Sequence, residues 1–149
     1  MKLKNLVYGS AIAAVYAVLT IALAPVSFGA VQCRVSEALT MLPVLMPAAI
    51  PGLFVGCLIS NLVTGSVIDI VFGSLTTLVA AYCTYITRKN IWIAMIFPVV
   101  LNAVIVGGYI ALFLEKGLAV WDCMLTVGLG QLVTCYGIGI PLYKIIKKY

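Results

Sequence analysis

Apolar residues along this chain do not alternate with polar ones. They run in long blocks broken by short polar or charged segments. The blocks lie at roughly 6–24, 38–50, 51–64, 67–87, 91–114 and 121–143. With about 20 residues needed per helical membrane span, this pattern predicts a bundle of six spans, the second and third of them short. The first block follows Lys2 and Lys4, and Ala22-Leu23-Ala24 resembles a leader-peptidase motif. Pro25 directly after it makes a poor cleavage site, and the block exceeds the usual apolar core of about 7–15 residues, so it reads as a retained first helix. Pro98 predicts a kink in the fifth block. Small residues recur at helical spacing: Gly9, Ala13 and Ala17 in the first block, and Gly52, Gly56, Ser60 and Thr64 in the third. In lipid, small residues let helix backbones approach closely. The third-block stripe reads as packing inside the bundle. The first-block stripe fits either packing or contact with a partner subunit.

Charge orients the blocks. In the six-span arrangement Lys2, Lys4, Arg88, Lys89, Lys144, Lys147 and Lys148 fall on one side, against Arg34 and Lys116 on the other. Positive residues stay on the cytoplasmic side, so both termini are expected there. The four acids, Glu37, Asp69, Glu115 and Asp122, then lie at the outer edge. Composition agrees with a membrane protein: 149 residues, 64% hydrophobic and 9% charged, with mean hydropathy +1.23. A soluble domain carries about a quarter charged residues, and a disordered chain is poorer still in apolar ones. The expected class is therefore an all-α integral membrane protein forming one domain over residues 1–149. There is no histidine, which argues against haem, zinc and His-based acid–base chemistry. The five cysteines form no C-x-x-C and read as small hydrophobes.

A few polar residues stand within or beside apolar blocks. Arg34 and Glu37, three apart, share a face on one helical turn and can present a guanidinium and a carboxylate to a planar polar ring. Equally, Glu37 can simply open the second helix, with Arg34 pairing to it. Ser66 and Asp69 have the spacing of a capping box. Asn61 is expected at the same depth as Asp69 and the Arg34–Glu37 pair. Asn102 and Gln131 lie deeper and read as interhelical hydrogen-bonding groups, although intramembrane polar residues also mark substrate sites. Trp121, Tyr109 and Phe113 fit an outer aromatic belt, and can equally stack on a flat ligand. No nucleophile–base pair, phosphate-binding loop, filter or internal repeat is visible. The residues thus describe a small membrane binding subunit, not an enzyme, that depends on partners for energy.

The stretch from Leu23 through Phe28, Gln32, Cys33, Arg34 and Glu37 to Pro43 resembles the QueT family of queuosine-precursor transporters. Pro47–Leu62 and Asp69–Leu78 resemble its next two blocks, whereas Cys33 departs from the larger apolar residue expected there. The resemblance implies a six-helix substrate-capture (S) component of an energy-coupling-factor (ECF) transporter in the prokaryotic cell membrane. Its implied partners are a transmembrane coupling protein and two ATPase subunits, with no cofactor and no nucleic acid. The implied ligand is a 7-deazaguanine base such as 7-aminomethyl-7-deazaguanine, delivered by toppling of the whole bundle. On this likeness Glu37 takes the guanine edge and Asp69 the aminomethyl group. Arg34 and Gln32 hold the ring carbonyl and nitrogens, Asn61 supports them, and Phe28 or Phe72 stacks. The likeness also implies that the first helix docks on the coupling protein through Ala13 and Ala17, with Gly9 on the same stripe. Alternatives are capture of another small metabolite or vitamin, a ligand-free assembly subunit, or a membrane-embedded enzyme.

Overall fold

The computed structural model describes residues 3–28, 33–64, 66–114 and 117–148, and among them every regular element is helical. We label the helices α1 (Leu3–Ala22), α2 (Val35–Val44), α3 (Ala49–Thr64), α4 (Asp69–Ile86), α5 (Ile91–Leu114) and α6 (Val120–Lys148). Among the described residues four of them, α1, α4, α5 and α6, are long and apolar enough to cross a membrane, and α2 and α3 are shorter. A one-turn helix, Ala24–Ser27, follows α1, with Pro25 in its first turn, where a missing N–H costs nothing. The second apolar block forms a 3-10 helix over Val35–Val44 rather than an α-helix over 38–50. Pro43, inside it, has no N–H to bond, and Pro47 follows just beyond its end, so the block supports only a short element.

The outside of this bundle is its apolar part. Val7, Val15 and Val18 of α1, Leu75 and Val79 of α4, Val100 and Val104 of α5, and Leu125 and Leu129 of α6 are all exposed. Inside lie Thr20, Ser36, Glu37, Thr40, Asn61, Asp69, Thr77 and Thr134. That is the polarity expected of a protein solvated by lipid, where exposed apolar surface carries no penalty.

Close backbone contact joins the helices. A Cβ on Gly52 would lie 2.6 Å from the carbonyl oxygen of Gly9, and one on Gly56 would lie 2.8 Å from that of Ala13. The two stripes of small residues are thus each other's partner, and Gly9, Ala13 and Ala17 are buried on the face of α1 that α3 covers. Further round, a Cβ on Gly107 of α5 would lie 2.7 Å from Cα of Met124, and one on Gly139 of α6 would lie 3.2 Å from the carbonyl oxygen of Ala38.

Backbone irregularities are satisfied locally. The helical run of α5 breaks at Met95, three residues before Pro98, which cannot donate to the carbonyl of Ala94. The Thr84 hydroxyl donates to that carbonyl at 3.3 Å instead. Asn102 and Gln131, expected to bridge helices, bond within their own: Asn102 Nδ2 donates to the Pro98 carbonyl at 2.8 Å, and Gln131 Oε1 accepts from the Cys135 thiol at 3.7 Å. The wider π-helical turn appears at Asp69–Gly73, Asn102–Val106, Ile110–Leu114 and Val133–Gly139. Such turns are rare and gather at functional sites.

The α1–α3 contact generates a direct test. Gly52→Leu should lower stability by at least about 1–3 kcal/mol, because its side chain has no room against Gly9. Gly137→Leu, which meets nothing within 4 Å, should leave stability nearly unchanged. Thermal unfolding in detergent compares the two.

Candidate functional site

The polar interior converges on the junction of α1, α2, α3 and α4. Ser36 and Glu37 open α2 and are fully buried, as are Thr20 of α1 and Asn61 of α3. Arg34, immediately before α2, is 3% exposed, and so is Asp69 at the start of α4. Two charged residues of α2 and its lead-in and one of α4 are therefore held away from water, an arrangement that requires partners.

Glu37 Oε1 accepts a hydrogen bond from the Tyr16 hydroxyl of α1. Arg34 does not spend its hydrogen bonds on Glu37. Its Nε donates to the Ser27 carbonyl at 3.4 Å and its Nη1 to the Cys57 sulfur at 3.9 Å, while its guanidinium lies 4.7 Å from the centre of the Phe28 ring. Asp69 is engaged at both oxygens. Oδ2 accepts from the Ser66 hydroxyl at 3.0 Å and the Ser66 N–H at 3.3 Å, and Oδ1 accepts from the Tyr109 hydroxyl at 2.7 Å. The Asp69 N–H donates back to Ser66 Oγ at 3.2 Å, which completes the capping box expected from the spacing. Asn61 Nδ2 donates to the Asp69 carbonyl at 2.8 Å, to Ser74 Oγ at 3.3 Å and to the Cys57 sulfur at 3.5 Å.

Four buried side-chain atoms in this region have no hydrogen-bond partner among the described residues: Ser27 Oγ, Arg34 Nη2, Glu37 Oε2 and Asn61 Oδ1. A buried polar atom left unsatisfied costs about 1–3 kcal/mol, more if charged. Four clustered in one interior are expected where a polar ligand completes the set. Arg34 Nη2 offers a donor, Glu37 Oε2 and Asn61 Oδ1 offer acceptors, and Ser27 Oγ offers either.

The residues singled out from the sequence divide accordingly. Arg34, Glu37, Asn61 and Asp69 come together, with Phe28 half-buried beneath the guanidinium. Phe72 does not join them. It is 53% exposed, with its ring centre 6.3 Å from that of Tyr109. Gln32 lies outside the described residues. Gly9 and Ala13 form the floor of a shallow groove of about 120 Å³ at the α1–α3 junction, whereas Ala17 is not part of its lining. Tyr109 corrects the aromatic-belt expectation: it is 6% exposed and turned inward to Asp69, whereas Trp121 and Phe113 face outward. Sequence reasoning missed Tyr16, Ser27 and Cys57. For Tyr16 a signal existed, since it stands three residues after Ala13 on the small-residue face of α1, where no bulky side chain fits without a purpose.

Fold and site together define a multi-pass helical membrane protein with a cluster of buried polar side chains enclosed by its helices. A family model described as "QueT transporter" matches residues 6–148, and the chain belongs to that family. It is 37% identical over 70 residues to "Queuosine precursor transporter QueT" of Lactococcus lactis subsp. cremoris (strain MG1363), a match covering 46% of this chain and 41% of that relative. The matched stretch thus spans about two-fifths of that relative's length. No solved structure matches the chain.

Tyr16→Phe should cost about 1–3 kcal/mol, because it removes the hydrogen bond to Glu37 Oε1 in a site closed to water. Tyr8→Phe, at an exposed position of the same helix, should cost almost nothing. Chemical or thermal unfolding of the two variants checks the difference.

Proposed function

We propose that this chain is the substrate-capture component of an ATP-driven ECF importer in the cell membrane and that it binds a queuosine precursor, a 7-deazaguanine base such as 7-aminomethyl-7-deazaguanine. The observation that carries this reading is the set of atoms at Arg34, Glu37 and Asn61 that have no hydrogen-bond partner among the described residues. A guanine-type edge presents one carbonyl acceptor beside a ring N–H and an exocyclic amine. Arg34 Nη2 complements the carbonyl, and Glu37 Oε2 and Asn61 Oδ1 complement the two donors. Phe28, already against the Arg34 guanidinium, supplies the ring on which a flat base stacks. Asp69, with both oxygens occupied, contributes mainly its negative charge, which favours the cationic aminomethyl group. On the family likeness Gln32 shares with Arg34 the hold on the ring carbonyl and nitrogens.

In this reading residues 1–149 form one domain of six passes with both ends in the cytoplasm, as the distribution of lysines and arginines supports. The coupling protein meets the groove over Gly9 and Ala13, adjoining the α1–α3 seam that ends at Ala17, and two partner ATPases supply the energy. Toppling of the bundle then carries the enclosed base inward.

Titration of the detergent-purified protein with 7-aminomethyl-7-deazaguanine should give saturable binding. Glu37→Gln and Asn61→Ala should each weaken it by about tenfold or more, the equivalent of one lost buried hydrogen bond. Absence of binding by folded protein, or full affinity in both variants, would refute this ligand, and native protein would then be extracted to identify what it carries.

A further inference from the structure

Cys57 is an apolar-block cysteine by sequence, yet its surroundings are not apolar. It is fully buried in the middle of α3. Its sulfur receives hydrogen bonds from three different parts of the chain: Arg34 Nη1 at 3.9 Å, Asn61 Nδ2 at 3.5 Å and the Thr77 hydroxyl at 3.3 Å. Two of these donors belong to side chains with another polar atom, Arg34 Nη2 and Asn61 Oδ1, that has no hydrogen-bond partner among the described residues. A guanidinium is a rigid planar fork, and an amide is planar as well. Arg34 is held by Nε on the Ser27 carbonyl and Asn61 by Nδ2 on the Asp69 carbonyl, and the shared sulfur gives each planar group a further anchor that limits the directions in which Nη2 and Oδ1 point. Thr77 in turn donates to the Gly73 carbonyl at 3.2 Å, at the end of the π-helical turn that begins with Asp69. The same sulfur thus links the Arg34 lead-in, α3 and α4.

We infer that Cys57 is a positioning residue for ligand recognition: its sulfur is the shared acceptor that aims Arg34 Nη2 and Asn61 Oδ1 into the site. The inference rests on the reading of that site as a binding pocket. A sulfur acceptor suits the geometry because its bonds are long, and one large, soft atom reaches three donors at once; an apolar side chain would take the acceptor from Arg34 Nη1, while Asn61 Nδ2 and Thr77 would keep the Asp69 and Gly73 carbonyls. Serine keeps an acceptor at the same place, whereas alanine keeps none.

The test compares the wild-type protein with Cys57→Ala, Cys57→Ser and a control, Cys83→Ala, whose cysteine is only partly buried. Each is titrated with 7-aminomethyl-7-deazaguanine and with the analogue that lacks the exocyclic amine. Cys57→Ala should bind the full base about tenfold more weakly, and its preference over the analogue should shrink, because Arg34 Nη1 loses its acceptor and Asn61 one of the contacts that hold its amide toward that amine. Cys57→Ser should restore most of both quantities, and the control should match wild type. Loss of packing alone does not erase the preference between two bases of one shape. Overturning results are a Cys57→Ala affinity and preference within about twofold of wild type, or loss of both in Cys57→Ser as in Cys57→Ala. If the wild-type protein binds neither base, the proposed ligand fails, and unfolding of Cys57→Ala, Asn61→Ala and the double variant decides the inference instead. Non-additive losses support the shared hydrogen bond, and additive ones overturn it.

Discussion

The approach of α1 to α3 is the contact on which the rest of this molecule depends. Lipid offers two helices no hydrophobic reason to associate, so they must gain from backbone contact at close range. Gly9 and Ala13 on one side and Gly52 and Gly56 on the other permit that range. The consequence lies one turn further along α1. A Cβ on Gly56 would sit 2.8 Å from the Cβ of Tyr16, so the bare glycine is what lets Tyr16 stand between the two helices. From there its hydroxyl reaches Glu37 of α2, and Cys57, the residue after Gly56, faces Arg34. A packing motif thus places the polar groups.

Those groups are unusual among the buried polar residues in what they leave undone. Five of the ten buried serine and threonine hydroxyls among the described residues are satisfied by the carbonyl four residues earlier on their own helix: Thr20 on Tyr16, Ser60 on Gly56, Thr76 on Phe72, Thr77 on Gly73 and Thr134 on Gly130. Such bonds let a helix carry a hydroxyl through lipid without a partner from outside. Arg34, Glu37 and Asn61 are long enough to reach beyond their own backbone, and each keeps an atom with no partner among the described residues. The distinction separates hydroxyls that close on their own helix from longer side chains that reach between segments. The Asp69 end is, by contrast, internally complete, closed by Ser66 and Tyr109.

Part of this was legible in the chain before any coordinates. Charged and amide residues inside apolar blocks are conspicuous, and four of them, Arg34, Glu37, Asn61 and Asp69, do gather in one place. The Ser66–Asp69 box and the break before Pro98 follow from short-range chemistry and were equally readable. Long-range partners were not. Tyr16, Tyr109 and Cys57 are ordinary membrane residues by type, and only tertiary contact reveals that their polar atoms are used. The stripes on α1 and α3 announce that two backbones come close but not which two. Phe72 shows the converse limit: an aromatic three residues after Asp69 is exposed, with its ring against that of Tyr109. The second block ran short for the same reason, since its hydropathy extends past residue 44 but its prolines do not allow the helix to.

The central claim is that the unpartnered atoms of Arg34, Glu37 and Asn61 are the recognition surface for a guanine-type base. A structure of the protein determined with 7-aminomethyl-7-deazaguanine bound tests it most directly. The account predicts the base enclosed between α1, α2, α3 and α4, with Arg34 Nη2, Glu37 Oε2 and Asn61 Oδ1 each within hydrogen-bonding distance of about 3.2 Å of its edge. A base seated elsewhere, with those three atoms still turned away from it, would contradict the account.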